Sequence, residues 1–162
     1  MPKITALLHC HGDAQQLARA LESLRCCDET LVITHNGGEE IQKVARQHGA
    51  GVKAAVPGVS PGAYLVDAAN DWILCVSEAE SLSDDLEAAL LEWKQQEHEV
   101  SETFAVGVRQ QTNGNWRSAG RHTRLANRTS VNWIGEFPPD EDKSSPLGGD
   151  LLRIDSSEHP DK

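Results

Sequence analysis

The chain has 162 residues, with 15 Lys or Arg against 25 Asp or Glu, and its formal net charge is −10. This length corresponds to one ordinary domain that can bury a hydrophobic core. The acidic balance argues against DNA or RNA as a partner, because nucleic-acid phosphates are bound by clustered Lys and Arg. No apolar run approaches the ~20 residues that span a membrane.

The cysteines show no sign of a disulfide framework. Cys10, Cys26, Cys27 and Cys75 form neither a CxxC pair nor the pattern of a small secreted domain. Together with the lack of a membrane span, this predicts a cytoplasmic location, where thiols stay reduced. Cys10 lies between two histidines, but nothing in the sequence supplies a third group to orient it as a nucleophile.

Strands and helices alternate over the first 100 residues. Apolar runs of strand length occur at residues 4–8, 30–33 and 72–76, and a further short strand is predicted at 52–56. Such runs are typical of strands that are buried on both faces. Helical patterns follow them, with Asp13 and Ser83 in N-cap positions and Pro61 opening a shorter helix. This alternation predicts an α/β fold with a mostly parallel, doubly wound sheet flanked by helices.

The pattern changes after residue 100. Residues 104–109 and 115–118 predict a hairpin around the Asn113–Gly114 turn, and short strands are predicted at 124–126 and 131–133. This part is therefore predicted to be mixed or antiparallel. Residues 138–162 are acidic and rich in Pro, Gly and Ser, which predicts a largely flexible tail in which only residues 151–154 dock.

Polar side chains follow three of the predicted parallel strands. The loops at residues 9–13, 34–39 and 77–81 come directly after strands, and ligands of open α/β sheets bind beyond the carboxyl ends of strands. A crevice between these loops would hold His9, His11, His35, Glu78 and Glu80. One hypothesis is a zinc-dependent hydrolase that uses the three histidines. The plainer alternative is that these groups lie in solvated loops.

Five stretches resemble the glycosyltransferase family 2 group with the GT-A fold, in particular its bacterial lipopolysaccharide-core type. They are ITALLHCHGDAQQLARALESL, DETLVITHNGGEEIQKVARQHGA, DWILCVSEAESLSDDLEAAL, GNWRSAGRHTRLANR and NWIGE, and the resemblance covers about residues 4–137. It implies a GT-A-like (Rossmann-like) domain over 1–137, with a nucleotide-binding half at 1–100 and a reduced acceptor half at 101–137.

The resemblance also implies a function. Such a protein binds a nucleotide-diphosphate sugar, here of the UDP type, and transfers the sugar to an acceptor with the help of Mn²⁺ or Mg²⁺. The positions that match the nucleotide-binding segments are His9, Cys10, His11, Gly12, Thr34, His35, Asn36 and Ser77.

The chain departs from the family pattern at the chemical positions. The Asp-x-Asp motif aligns with Ser77-Glu78-Ala79 and is degenerate, while Glu78 and Glu80 restore an acid-x-acid spacing one residue later and are the candidate metal ligands. Arg121 and Arg124 are candidate diphosphate ligands. The late His-Glu pair of the family falls on Pro138-Pro139, which leaves Glu136 and Asp140 as the nearest carboxylates and Glu136 as the candidate catalytic base.

These departures keep a second hypothesis open. A GT-A scaffold that has lost catalysis would act as a binding module, through a protein partner or through a nucleotide that it does not turn over. The replaced aspartates, the short acceptor half and the acidic tail favour this alternative.

Overall fold

The computed structural model describes residues 2–36, 38–133 and 135–154. In chain order the elements are β1 (Ile4–Cys10), α1 (Ala14–Glu22), β2 (Glu29–Thr34), α2 (Glu39–Gln47), β3 (Gly51–Ala54), a 3-10 helix (Pro61–Asp67), β4 (Trp72–Ser77), β5 (Glu80–Leu82), α3 (Asp84–Trp93), β6 (Thr103–Thr112), β7 (Asn115–Asn127) and β8 (Ser145–Ile154). None of the helices in these ranges has the length and apolar character that crossing a membrane requires.

The eight strands form one sheet in the order β3-β2-β1-β4-β7-β6-β8-β5. The first four strands are parallel, whereas β7 runs antiparallel to both β4 and β6. Strand β8 is parallel to β6 and antiparallel to β5. The predicted α/β fold, with a parallel first part and a mixed second part, is therefore confirmed.

The two faces of the sheet are covered differently. The buried residues of α1, α2 and α3 pack in one cluster with alternate strand residues such as Ala6 and Leu8 of β1. The opposite face, which carries Leu7, is covered by the 3-10 helix and by Trp133. Because His9 follows Leu7 by two residues in an extended strand, it lies on this second face. The strand–helix alternation predicts α-helices on both faces of the sheet, but the described α-helices cover one face only.

The N-caps that the sequence predicts are present. The side chain of Asp13 accepts a hydrogen bond from the Gln16 amide at 3.0 Å, and Ser83 Oγ accepts one from the Leu86 amide at 3.1 Å. Three acids in the first turn of α3 lie at the positive end of its dipole. The start of α1 is thereby fixed directly after the loop that leaves β1, at the rim of the predicted crevice.

The chain after residue 137 differs from the prediction of a largely flexible tail. Residues Ser145–Ile154 form β8, which lies between β6 and β5 and buries Leu151 completely. Composition concealed this strand, since two glycines and a proline lie within it. Gly149 is required where β8 passes close to α3, because its φ is +81° and a Cβ there would overlap the Leu86 amide nitrogen. Residues 155–162 lie outside the described ranges, so the prediction for them stays a prediction.

Candidate functional site

The loops after β1, β2 and β4 meet at one rim of the sheet. In the strand register His9 is opposite both Ile33 and Ser77, so the three strands end at the same level. Backbone hydrogen bonds continue past the strand ends, from the His35 amide to the Cys10 carbonyl at 2.8 Å and from the Glu78 amide to the His9 carbonyl at 3.1 Å. The sequence-predicted crevice therefore exists as a continuous rim.

Three histidines and one glutamate converge at this rim. His9 Nδ1 lies 2.9 Å from His35 Nε2, and the ring of His11 stacks on that of His35 with centroids 4.5 Å apart. Glu136, in the segment that follows β7, places its Oε1 3.2 Å from His11 Nε2 and 4.0 Å from His9 Nδ1. The structure thus brings the candidate base to the candidate nucleotide-binding histidines.

The two inner histidines are held neutral by their surroundings. Burial lowers the pKa of His9 to about 4, although the carboxylate of Glu136 opposes this shift. Burial also lowers the pKa of His35, again against Glu136. At neutral pH one ring therefore donates and the other accepts in their hydrogen bond. Among the described residues, His9, His35 and Glu136 are the one group of three whose ligand-type atoms all lie within 4.8 Å.

Glu78 organises the loop between β1 and α1. Its carboxylate accepts hydrogen bonds from the backbone amides of His11 at 2.7 Å and Asp13 at 3.0 Å, and from Cys10 Sγ at 3.1 Å. The residue is buried, so these contacts use its oxygens in a site that water scarcely reaches. The role predicted for Glu78, a metal ligand, is replaced by one of holding this loop.

Cys10 is a buried thiol. Burial raises its pKa to about 12, and the hydrogen bond to Glu78 acts in the same direction. Its side chain packs in the cluster under the helices, on the opposite face from His9. Cys10 is therefore neither a nucleophile at neutral pH nor a group that faces the crevice, and only its backbone carbonyl contributes to the rim.

Glu80 and Arg124 form a buried ion pair. The two guanidinium nitrogens lie 2.7 and 2.9 Å from the two carboxylate oxygens, and the Ser77 amide also donates to Glu80 at 3.0 Å. The Arg124 guanidinium further lies 3.9 Å from the centre of the Phe137 ring. Burial raises the pKa of Glu80, but the hydrogen bonds and charge of Arg124 outweigh it and lower that pKa below its ordinary value.

This pair corrects two predictions from the sequence. Glu80 begins β5 after a turn, so it does not project to the same side as Glu78, as extended backbone would have required. Its side chain has no exposed surface, and that of Arg124 is 5% exposed. Glu80 is thus not available as a metal ligand, and Arg124 is not available to a diphosphate.

The remaining predicted residues occupy different positions relative to the rim. Gly12 has a φ of +117°, and a Cβ there would lie 2.8 Å from the Asn36 carbonyl oxygen, so this close approach of two loops requires glycine. Asn36 itself is exposed beside it. Thr34 and Ser77 are buried, whereas Arg121 is exposed on β7.

A cavity that the sequence did not predict lies next to this rim. The cavity has a volume of about 270 Å³ and is lined in part by His122, Arg124, Phe137 and Asp140. Asp140 accepts hydrogen bonds from the Thr123 amide at 2.9 Å and lies 3.0 Å from His122 Nδ1. Its one sequence signal was the position of Asp140 as a carboxylate near Glu136.

A scan of protein-family models and a search of curated proteins found no match. Solved structures do match. A nucleotidyl transferase from Methanothermobacter is 13% identical with a TM-score of 0.53, covering 90% of this chain and 88% of that one. 4-Diphosphocytidyl-2C-methyl-D-erythritol synthase is 17% identical with a TM-score of 0.51, covering 79% and 76%.

Glucosyl-3-phosphoglycerate synthase from Mycobacterium tuberculosis, solved with Mn²⁺ and UDP-glucose, is 13% identical with a TM-score of 0.51. The match covers 68% of this chain but 44% of that one, so the chain spans less than half the length of this synthase. The chain has a GT-A-like fold of the kind found in glycosyltransferases and nucleotidyltransferases. At these identities the likeness shows the fold alone.

Proposed function

We propose that this chain binds a nucleotide-diphosphate sugar in the crevice at the carboxyl ends of β1, β2 and β4 and transfers the sugar to an acceptor. The observation that supports this is the meeting of the three loops at one rim, in a fold shared with a synthase solved with UDP-glucose. The resemblance to glycosyltransferase family 2, including its lipopolysaccharide-core type, favours the same reaction.

The exposed part of the rim would hold the nucleotide. His11, Gly12 and Glu40 line an open groove of about 510 Å³ between the first loop and α2, and Asn36 is exposed next to it. Aromatic stacking on the His11 ring and hydrogen bonds from Asn36 suit a uracil base and its ribose. Arg121 stays the candidate cation for the diphosphate, since Arg124 is paired with Glu80.

Glu136 is the candidate base for the transfer. It would accept the proton of the acceptor hydroxyl while that oxygen forms a bond to the anomeric carbon and the bond to the diphosphate breaks. The neighbouring cavity at His122 and Asp140 would take the acceptor. Glu78 and Glu80 do not fit the Mn²⁺ or Mg²⁺ that the fold implies, because their oxygens already bind backbone amides and Arg124. No step is therefore assigned to such an ion.

Binding is tested by titrating the protein with UDP and UDP-glucose, with and without Mn²⁺, and following heat and melting temperature. We expect both ligands to raise the melting temperature, and we expect His11→Ala and Asn36→Ala to weaken binding by at least about tenfold, which corresponds to 1.4 kcal/mol. His48→Ala is the matched control, because His48 is the exposed C-cap residue of α2 and its ring bonds to the Val44 carbonyl. Failure of every nucleoside diphosphate to bind would contradict the proposal.

The second candidate function is a nucleotide-binding module without catalysis. It is favoured by the closed Glu80–Arg124 pair, which directly follows residues 77–79, the stretch that matches the Asp-x-Asp motif in the family resemblance. Release of UDP from a panel of UDP-sugars, with and without acceptors, separates the two functions. A transferase releases UDP and loses this activity, but not nucleotide binding, on Glu136→Gln. A binding module binds UDP and releases none from any donor.

A further inference from the structure

We propose that His9, His35 and Glu136 form a binding site for one zinc-class divalent transition-metal ion at the rim of the sheet. The site differs from the predicted acidic pair in both position and ligand type. Glu136 would bind the ion through Oε1, which lies nearest to the histidines, and Oε2 would stay available as the proton acceptor of the proposed transfer. Its three ligands come from three separate parts of the chain: the end of β1, the residue after β2, and the segment that follows β7. Such convergence of distant residues is how folded chains build metal sites.

The distances suit coordination by a small ion. Ligand atoms at 2.0–2.1 Å from a tetrahedral zinc ion lie about 3.3 Å from one another. Here the separations are 2.9 Å between His9 Nδ1 and His35 Nε2 and 4.0 Å between His9 Nδ1 and Glu136 Oε1. These values lie on either side of the required spacing, so small rotations of His35 and Glu136 give a common centre.

His11 provides a fourth ligand or leaves a position open. Its Nε2 lies 3.2 Å from Glu136 Oε1, and its side chain is 49% exposed, so the ring is able to swing toward the ion. With His11 bound, the site has three imidazoles and one carboxylate. With His11 swung out, the fourth position faces the crevice and is open to water, as in catalytic zinc sites with two histidines and a glutamate.

The ligand set selects the class of ion. Imidazole nitrogen suits zinc, copper, nickel and iron, whereas Mg²⁺ and Ca²⁺ take sites made of oxygen atoms. Two or three imidazoles with one carboxylate therefore favour Zn²⁺ over Mg²⁺. The ion would also attach the segment of Glu136 to the strand ends. Within the described residues this segment is otherwise held near β4 by the hydrogen bond from Cys75 Sγ to the Glu136 carbonyl, 2.8 Å long.

The test uses the full chain, stripped with a chelator and free of nucleotide, so its outcome does not depend on the proposed function. It is titrated with ZnCl₂ and, in parallel, with MgCl₂ while the heat is measured. Co²⁺ serves as a spectroscopic probe, because its visible absorption reports nitrogen ligands in a tetrahedral site. We expect one Zn²⁺ per chain, a higher melting temperature with Zn²⁺, and no comparable response to Mg²⁺.

Variants decide whether these residues are the ligands. His35→Ala and Glu136→Gln are expected to weaken zinc binding by at least about tenfold and to lose the cobalt absorption, while His48→Ala behaves as the wild type. Glu136→Gln replaces a partly exposed side chain with one of the same size, so we expect it to fold. If His35→Ala does not fold, Glu136→Gln is sufficient to test the ligand assignment. Unchanged zinc affinity in Glu136→Gln, or a preference for Mg²⁺ in the wild type, would overturn the proposal.

Discussion

Glu80 and Arg124 pair with each other in the structure, although the sequence predicted Glu80 as a metal ligand and Arg124 as a diphosphate ligand. The spacing of Glu78 and Glu80 predicted two carboxylates on one side of a loop, but Glu80 is sealed inside with Arg124. No local sequence pattern predicts this pair, because the two residues are 44 positions apart in the chain. A buried carboxylate is retained in ionised form only when a cation and hydrogen bonds compensate for the lost water. The structure supplies both.

The pair predicts a specific dependence of stability on pH. The pKa of Glu80 in the folded protein is below its ordinary value of 4.5, so the folded state favours the ionised form. Its contribution to stability is therefore fully present above the unfolded pKa and is lost as the pH falls through the lower, folded pKa. Urea unfolding between pH 6 and pH 3 measures this loss.

The comparison that isolates this effect is the double variant Glu80→Gln with Arg124→Met, which removes both charges of the buried pair. The remaining neighbour is Arg153, whose Nε lies 3.9 Å from Glu80 and whose side chain is 33% exposed. We expect its free energy of unfolding to fall less steeply below pH 4.5 than that of the wild type, because the contribution of Glu80 is missing. Some decrease remains, since other carboxylates with lowered pKa values, such as Asp140, are present in both proteins. Parallel curves for the two proteins would show that the pair does not contribute.

Histidines illustrate what residue spacing does and does not predict. His9 and His11 are two residues apart at the end of β1, and both rings stack on the ring of His35, which the parallel register brings beside them. The contact with Glu136 had no local signal, because it depends on the path of the chain after β7. The histidines of the candidate site followed from the strand ends, whereas Glu136 was a candidate only through the family resemblance, and its contact with the histidines was not predicted.

The connection between β1 and α1 is the element on which the rim depends. Its backbone amides at residues 11 and 13 both donate to the buried Glu78 carboxylate. We predict that Glu78→Ala lowers the free energy of unfolding by about 3 kcal/mol, since it removes two backbone hydrogen bonds to a carboxylate, and such bonds contribute about 1.5–3 kcal/mol each. Amide hydrogen exchange at His11 and Asp13 should accelerate in the same variant.

The matched control for Glu78 is Glu40→Ala. Glu40 lines the same groove but is exposed in the first turn of α2, where its contribution is that of a surface charge near a helix dipole. It should change the free energy of unfolding by less than about 1 kcal/mol. Equal effects of the two substitutions, with exchange at residues 11 and 13 unaltered, would mean that Glu78 does not hold the loop.

Strand β8 is the element that the sequence concealed, and its fit against α3 is testable. A Cβ on Gly149 would overlap the backbone of Asp85 and Leu86, and the φ of +81° disfavours any other residue. We predict that Gly149→Ala costs at least about 2 kcal/mol of unfolding free energy. Gly148→Ala is the control, because a Cβ there would meet only Ala89 Cβ at an ordinary 3.9 Å.

Urea unfolding of the two alanine variants gives the answer directly. Gly148→Ala should lie within about 0.5 kcal/mol of the wild type, as most substitutions in uncrowded positions do. Near-identical stabilities of the two variants would be incompatible with the close packing of β8 on α3, and would restore the prediction that the chain after residue 137 is a loosely attached tail.

In the whole molecule, the order of the early strands and helices was predictable, whereas the pairing of the later strands was not. Continuous apolar runs such as Trp72–Val76 specify buried parallel strands, and their helices follow from caps and spacing. The second half depends on pairings between distant strands of weak local character, as β8 with its glycines shows. Coverage of the second face by a 3-10 helix and Trp133 is likewise a tertiary property.

We expect this molecule to bind its ligand at the rim formed by β1, β2 and β4. The direct test is a crystal structure of the full chain soaked with UDP at saturating concentration, with and without a divalent ion. We expect electron density for the nucleotide between residues 9–12 and 34–36, with the Glu80–Arg124 pair unbroken. Density elsewhere on the molecule, or none at this rim in crystals whose rim is open to solvent, would contradict it.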